Sequence, residues 1–420
     1  MTIKFNKIAI LGNGFSNWGG GIDFIRFCVN ALALVCNDST KLFILLPDPE
    51  YTTIVTKTRR FLSPYRRMVI SLLTGQRPVF YRYKPFSRIQ LTDSFQNIEG
   101  NVDIVFYSPR EDIASVVASI QADVIIPSAY SLGSSFPVPW VGYLYDFQHK
   151  YYPDYCSNEE INKRDTQFSQ MLAEASAVIV NAADVKKDIQ KFYPQTKCNV
   201  FDLPFSATPI ESWFEASSED LTQKYKLPKK YFVICNQFWI HKDHTTAFKA
   251  LAKYTKVTNH QDIHIVCTGN TVDSRHPNYF SNLKNTVNKL GLTDRIHYLG
   301  HIPKKDQIDI MRGSIAVLQP TLFEGGPGGG AVYDAVAMGV PAIVSDIPVN
   351  REIEGHEGLL FFKASDADDM AAKMIAVQNI VFVKQGKVKL LSAGRERTRK
   401  FGLRLLEAIE HVMKADNIDA

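Results

Sequence analysis

The stretch Glu324-Gly-Gly-Pro-Gly-Gly-Gly-Ala-Val-Tyr-Asp334, followed by Ala-Val-Ala-Met-Gly339-Val-Pro341-Ala-Ile-Val, decides how the rest of the chain is interpreted. It predicts a strand end, a glycine-rich loop, a helix and a second strand. Five of the six positions after Glu324 are glycine, so a ligand can approach bare backbone N–H groups. The helix that follows points its positive end at the same place, which favours phosphate. Local physics supports an anion site between two carboxylates and an ordinary strand-to-helix turn about equally.

Strands and helices alternate along the whole chain. Short apolar runs alternate with helical patterns from Ile8 to Phe192, and the alternation restarts at Tyr231. Two prolines in the segment Leu203–Pro209 interrupt it. This order predicts an α/β protein with two doubly wound, Rossmann-like domains.

The predicted domains are residues 1–205 and residues 206–395. Residues 396–420 are predicted to form a C-terminal helix that packs back toward the first domain. Ligands bind at the carboxyl ends of the strands in such sheets. Two sheets facing each other therefore predict a deep cleft between the domains.

Composition indicates a globular protein of ordinary character. Of the 420 residues, 45% are hydrophobic and 22% are charged. Six widely spaced cysteines without a Cys-x-x-Cys pair favour a reduced, cytoplasmic compartment. The ten histidines have no metal-ligand spacing, so no metal is expected. Neither a signal peptide nor an apolar run of about 20 residues is found.

Residues 57–88 form the most uneven charge distribution in the chain. This basic stretch contains nine Lys or Arg residues, no Asp or Glu, and interleaved apolar side chains. Such a pattern suits an anionic membrane surface, and it equally suits a solvated basic face packed on its domain. Nucleic acid is a weaker candidate partner, because no recognition motif accompanies the charge.

Polar residues gather where several predicted strands end. Each cluster can also be explained by structure alone, as a turn, a helix cap or a histidine whose hydrogen bonds are made within the fold. A lysine at such a strand end can neutralise a diphosphate leaving group, where charge stabilisation has most effect. The clusters are Asn13–Asp23, Tyr145–Lys150, Asn236–His244 and Gly300–Pro303.

These segments, in this order, resemble glycosyltransferase family 4, a retaining family with the GT-B fold. The specific part comprises Ile296–Met311, Pro320–Gly325, Asp334–Pro341 and Ser345-Asp346. The segments Trp18–Phe24 and Tyr145–Lys150 look like a bacterial branch that builds surface polysaccharides.

The resemblance implies roles for three catalytic residues. Glu324 would bind the hydroxyls of the donor sugar near the reacting face. Lys242 would pair with the diphosphate, and His149 would contact the transferred sugar from the first domain.

It also implies a set of donor-binding residues. Asp334 would hold the ribose hydroxyls, and the backbone at Ile302 would read the edge of the base. Backbone N–H groups would be presented to sugar and phosphate by Gly328, Gly329, Gly330 and Ala331. A phosphate or acceptor loop in the first domain would consist of Gly19, Gly20 and Gly21.

The chain departs from the family pattern at the same site. Nine residues separate Glu324 from Asp334, two more than usual, and the second acid is Asp. Gln237 stands where the family has an arginine beside the phosphate lysine, which puts its role in donor binding in doubt. Arg351 and His241 are candidates to replace the missing charge.

The resemblance implies a retaining enzyme that moves a mannose- or glucose-like hexose from a GDP- or UDP-linked donor. Residues 1–205 would bind the acceptor, and residues 206–395 would bind the nucleotide sugar. The acceptor would be a lipid-linked glycan in bacterial lipopolysaccharide and O-antigen biosynthesis. Neither a cofactor nor a metal is expected, and the protein would be cytoplasmic, peripheral on the inner face of the membrane. The alternatives are a sugar phosphorylase, a nucleotide-sugar epimerase, or a catalytically silent module that binds sugar nucleotides or membrane.

Overall fold

The structure, a computed structural model, describes residues 5–16, 19–51, 86–96, 98–215, 220–273, 275–383 and 385–419, with Thr58, Leu62 and Tyr65. The chain divides into two compact units: residues 1–204 with 398–420, and residues 205–397. Most of the predicted basic stretch 57–88 lies outside the described residues, so its membrane contact stays a prediction. None of the described helices is both long enough and apolar enough to cross a bilayer.

The first unit contains a seven-stranded parallel sheet in the order β3-β2-β1-β4-β5-β6-β7. Its strands are β1 (Lys7–Leu11), β2 (Lys41–Pro47), β3 (Val102–Tyr107), β4 (Val124–Ser128), β5 (Trp140–Tyr143), β6 (Ala177–Val180) and β7 (Asn199–Asp202). Its helices are α1 (Gly19–Val35), α2 (Arg88–Ser94), α3 (Ile113–Ile120), α4 (Gln148–Tyr151), α5 (Asn158–Glu174) and α6 (Ala183–Phe192).

The core of this unit includes the end of the chain. Helix α1 contributes Ile25, Val29 and Leu32, which share one helical face. The last helix adds five buried side chains to the same core: Phe401, Leu405, Ala408, Ile409 and Val412. A Cβ at Gly402 would lie 2.3 Å from the carbonyl oxygen of Ala31, so glycine allows the last helix to approach α1.

The second unit contains a six-stranded parallel sheet in the order β10-β9-β8-β11-β12-β13. Its strands are β8 (Tyr231–Cys235), β9 (His264–Thr268), β10 (Ile296–Gly300), β11 (Val317–Gln319), β12 (Ala342–Ser345) and β13 (Leu359–Phe362). Its helices are α7 (Leu221–Tyr225), α8 (His244–Thr258), α9 (Tyr279–Lys289), α10 (Lys304–Gly313), α11 (Gly329–Met338), α12 (Pro348–Arg351) and α13 (Ala367–Asn379). Helix α14 (Lys387–Asp419) begins in this unit and ends in the first.

The two doubly wound parallel sheets confirm the predicted α/β architecture. Their central strands are buried on both faces, as helices on both sides of a parallel sheet require. One boundary was wrong: the glycines Gly19–Gly21 were expected in a loop, and they form the first turn of α1. The amides of a first helical turn need no partner within the helix, so glycine there is compatible with either state.

Candidate active site

The strand order of the second sheet reverses between β8 and β11, which are neighbours. Connections leave these two strands in opposite directions, so a crevice opens at their carboxyl ends. Gln319 is the last residue of β11, and Asn236 follows the last residue of β8. The two buried side chains therefore meet, and Asn236 Nδ2 donates to Gln319 Oε1 at 2.8 Å.

A chain of polar side chains runs from this pair to two predicted catalytic residues. Gln319 Nε2 donates to Glu324 Oε1 at 3.0 Å, and Lys242 Nζ lies 2.5 Å from the same oxygen. The side chains of Lys242 and Glu324 are only 11% and 10% exposed. The structure thus brings these two residues together as a nearly buried ion pair, whose charges are weakly screened.

Backbone contacts explain why Lys242 reaches Glu324. Lys242 ends a single turn of 3-10 helix, and Asp243 then adopts a left-handed conformation and caps α8 through Thr246. The carbonyl of His241 accepts from the amide of Leu322 at 2.7 Å. This contact ties the loop after β8 to the loop after β11, so both charged side chains enter the same crevice.

The glycine-rich segment is held by a buried asparagine. Asn350 Oδ1 accepts from the Gly328 amide at 2.6 Å, and its Nδ2 donates to the carbonyl of Ser345 at 2.9 Å. The Gly329 amide donates to the carbonyl of Gly326 at 3.2 Å. Two of the four amides predicted to face the ligand are therefore already engaged.

The amides of Gly330 and Ala331 differ from those two. Among the described residues, no acceptor contacts either amide, and both belong to the first turn of α11. Gly329 lies directly against Glu324: a Cβ at Gly329 would lie 3.0 Å from three atoms of the carboxylate. The helix N-terminus, its unpaired amides and the ion pair thus form one continuous surface.

Asp334 forms a second ion pair at the same end of the sheet. Its carboxylate is buried and pairs with Lys304, the first residue of α10. The half-exposed Lys304 ammonium also lies 5.6 Å from the centre of the Trp213 ring. Ile302, just before α10, is buried in the core of this unit.

The residues expected to replace the missing arginine contribute little net positive charge to this site. Burial lowers the pKa of His241 to about 2, so its imidazole is neutral near pH 7. Arg351 is paired with Asp346 and Glu354. Gln237 Oε1 accepts from the Asn270 amide at 2.8 Å, which fixes the loop after β9. Lys242 is thus the buried cation beside Glu324.

His149 lies in the first unit, on the short helix α4. Its side chain is fully buried, and Nε2 lies 2.9 Å from Asp165 Oδ1. Burial lowers the pKa of His149, although the hydrogen bond to Asp165 opposes that change. The neutral ring therefore carries its proton on Nε2, and Nδ1, which has no partner among the described residues, is a hydrogen-bond acceptor.

The sequence did not identify three site residues with buried side-chain amides: Gln319, Asn236 and Asn350. Asn236 lies within a polar cluster that the sequence singles out, whereas Gln319 ends an apolar strand and Asn350 follows Val349 on the short helix α12. A polar residue at the end of an apolar strand was the available signal for Gln319. Within the described residues, no group of three or more His, Cys, Asp or Glu side chains is placed to bind a metal.

Sequence and structure comparisons define the class. Residues 217–380 match the family model described as "Glycosyl transferases group 1". The match covers most of the second unit, which is therefore similar to a glycosyltransferase group 1 domain. No curated protein matches the chain in sequence.

Solved structures share the fold over nearly the whole chain. Sucrose-phosphate synthase from Thermosynechococcus elongatus is 15% identical, with a TM-score of 0.60 over 98% of this chain and 100% of that one. Anabaena HepE in complex with UDP and glucose is 14% identical, with a TM-score of 0.54 and 98% and 99% covered. WaaG, a glycosyltransferase involved in lipopolysaccharide biosynthesis, is 12% identical, with a TM-score of 0.52 and 94% and 95% covered.

Proposed function

We propose that this chain transfers a hexose from a nucleoside-diphosphate sugar to an acceptor hydroxyl, with retention of configuration. The observation that carries the proposal is the nearly buried Lys242–Glu324 pair beside the open amides of Gly330 and Ala331. A cation and a helix N-terminus suit a diphosphate, and a carboxylate next to them suits sugar hydroxyls.

Donor binding would separate the Lys242–Glu324 ion pair, and each residue would then bind a different part of the donor. The Lys242 ammonium would turn to the diphosphate, and the Glu324 carboxylate, held by Gln319, would accept hydrogen bonds from the sugar. Negative charge grows on the leaving diphosphate as the anomeric carbon becomes oxocarbenium-like. Lys242 and the Gly330 and Ala331 amides would stabilise that charge.

Retention would follow if the acceptor attacks from the face that the diphosphate leaves, with a phosphate oxygen taking the proton of the attacking hydroxyl. This route needs no metal, because Lys242 and the helix N-terminus neutralise the leaving group. The ribose would replace Lys304 as the partner of Asp334. For His149 to contact a hydroxyl of the transferred sugar, as the family resemblance implies, its buried Nδ1 would have to become accessible when the donor binds.

The donor and acceptor are part of the proposal. HepE was solved with UDP and glucose, which favours a UDP-sugar over GDP-mannose. WaaG acts in lipopolysaccharide biosynthesis, which supports a glycan acceptor of that kind, lipid-linked at a cytoplasmic membrane face.

Slow donor hydrolysis tests the proposal without knowledge of the acceptor. We expect the protein to hydrolyse one of UDP-glucose, UDP-galactose and GDP-mannose, with and without EDTA. Glu324→Ala and Lys242→Ala should each abolish the reaction. Lys230→Ala is the matched control, because it removes an exposed ion pair with Asp262 in the same unit.

Two outcomes would reject the proposal. One is full activity in Glu324→Ala or Lys242→Ala, which would place the chemistry elsewhere. The other is release of a sugar phosphate from a glucan only when inorganic phosphate is added, which would identify a phosphorylase.

A further inference from the structure

Residues 380–389 link α13 to α14 and include the start of α14, and those that the structure describes expose an unusual amount of aliphatic surface. Val381, Val383 and Val388 are 91%, 74% and 82% exposed. Ile380, at the start of the segment, is also exposed. We call residues 380–389 the valine–lysine segment.

Scattered apolar side chains on a surface need no explanation, but this arrangement does. Ile380–Val383 are four consecutive apolar residues, three of which are exposed, and exposed apolar residues grouped in this way usually have a function. Phe382 is the member that packs on the core of the second unit. It anchors the run while its neighbours Val381 and Val383 face outward.

The charge around the segment has one sign along the chain. Residues 370–395 contain five Lys or Arg and no Asp or Glu. Two acids approach from other elements: Glu211 pairs with Lys387, and Glu357 accepts from Gln385 at 2.7 Å. Lys389 is exposed beside Val388. Exposed valines and lysines are therefore neighbours at the start of α14.

We infer that the valine–lysine segment docks on an anionic lipid bilayer. The valines would enter the boundary between headgroups and acyl chains, where burial of aliphatic surface is favourable. Lys389 would meet lipid phosphates, and nearby basic residues add attraction to an anionic surface. Mixed aliphatic and cationic chemistry matches a membrane interface better than a second copy of this surface, since like charges would face each other.

Sedimentation of the full chain with vesicles tests this surface. One vesicle is phosphatidylcholine alone, and the other is a mixture of phosphatidylcholine and phosphatidylglycerol. We expect binding to the mixed vesicles, weakened roughly tenfold in the double variant Val381→Asp/Val383→Asp. Val383→Phe should strengthen binding, and an unchanged thermal midpoint would show that the gain does not come from unfolding. Val257→Asp is the matched control, because Val257 is 73% exposed on α8.

Several results would overturn the inference. Wild-type protein that sediments with neither vesicle would do so, as would equal binding by the double variant. A third such result is that binding is unchanged in the valine double variant but lost in a variant with four serine substitutions, at Arg59, Arg60, Arg66 and Arg67. Residues 57–88 would then be the membrane-binding segment. A dimer that the double variant converts to a monomer would identify a second copy as the occupant. Glu324→Ala should bind vesicles normally, so this test is independent of the proposed reaction.

Discussion

Gln319 donates a 3.0 Å hydrogen bond to Glu324, and its partner Asn236 fixes the direction of that bond. Asn236 Nδ2 donates to the side-chain oxygen of Gln319, so the side-chain nitrogen of Gln319 faces the Glu324 carboxylate. The ends of β8 and β11 therefore fix the orientation of the Glu324 carboxylate.

Gln319→Glu should move the acid limb of the pH–rate profile to higher pH. Two carboxyl groups in hydrogen-bond contact cannot both ionise easily, so the pKa of one rises. The replacement keeps the size of the side chain and its contact with Asn236. The measurement is kcat/KM for donor hydrolysis across the acidic range.

Gln378→Glu provides the control for that experiment. Gln378 is an amide in the same unit that donates to Tyr254 at 2.9 Å, remote in sequence from the site. Its replacement should leave the acid limb unchanged. An unshifted limb in Gln319→Glu would show that Gln319 has no influence on the ionisation of the catalytic group.

Gly329→Ala should lower donor hydrolysis by roughly one to two orders of magnitude. The new Cβ would press on the Glu324 carboxylate, and Gly329 has a φ of +60°, which strains any other residue by about 1–3 kcal/mol. Gly291→Ala, in the same unit but outside the site, has a similar φ of +67° and would meet nothing within 4 Å, so it should remain active. Equal activity in the two variants would mean that the position of Glu324 does not matter.

Lys242→Met should reduce kcat by about 10²–10³, as loss of a group that stabilises transition-state charge typically does. It also leaves Glu324 nearly buried without its cation, which costs about 3 kcal/mol of stability. Adding Glu324→Gln should restore the stability and leave the enzyme inactive. Thermal melts and donor hydrolysis separate the two effects. Recovery of activity in the double variant would contradict a catalytic role for Lys242.

His244→Phe should make the protein more resistant to acid. His244 stacks on Phe238 at 4.3 Å between ring centres, and burial lowers its pKa to about 3. Below the ordinary pKa of about 6.5, the unfolded chain binds a proton that the folded chain excludes. Stability is therefore complete above that pH and falls as pH decreases toward 3. The phenylalanine variant should regain about 1.4 kcal/mol at pH 5.5 relative to pH 7.5.

Thermal midpoints at the two pH values measure this effect. His260→Phe is the control, because His260 is an exposed histidine of the same unit. It should leave the difference between the two midpoints unchanged. The same pH dependence in wild type and His244→Phe would refute the assignment of His244 as a buried neutral ring.

The architecture could be read from the chain because buried parallel strands are continuous apolar runs. The run Ile296–Gly300 is predicted as a strand, and β10 has the same bounds. Strand β7 is not predicted, since its sequence Asn-Val-Phe-Asp has polar ends and little apolar length. Strand β13 is not predicted either, although Leu-Leu-Phe-Phe is apolar throughout. Both missed strands combine an edge position with a length of only four residues, whereas the edge strand β10 has five.

The site could be located from the chain, but its connections could not. Glu324 and Lys242 both follow strands, so a position at the carboxyl edge was predictable. Their ion pair depends on β8 and β11 being neighbours, which no local pattern of residues encodes. The same adjacency creates the Asn236–Gln319 contact between residues that are 83 positions apart. The roles assigned to His149, Gln237 and the glycines remain predictions.

The course of α14 has a consequence for how the protein is made. Residues 205–397 are continuous, so the second unit can complete its core as soon as that segment leaves the ribosome. The first unit begins earlier but must wait for Phe401, Leu405 and Ile409, which complete its core. The first unit is therefore synthesised first but completed last. Part of its apolar core stays exposed until these residues of α14 have been synthesised.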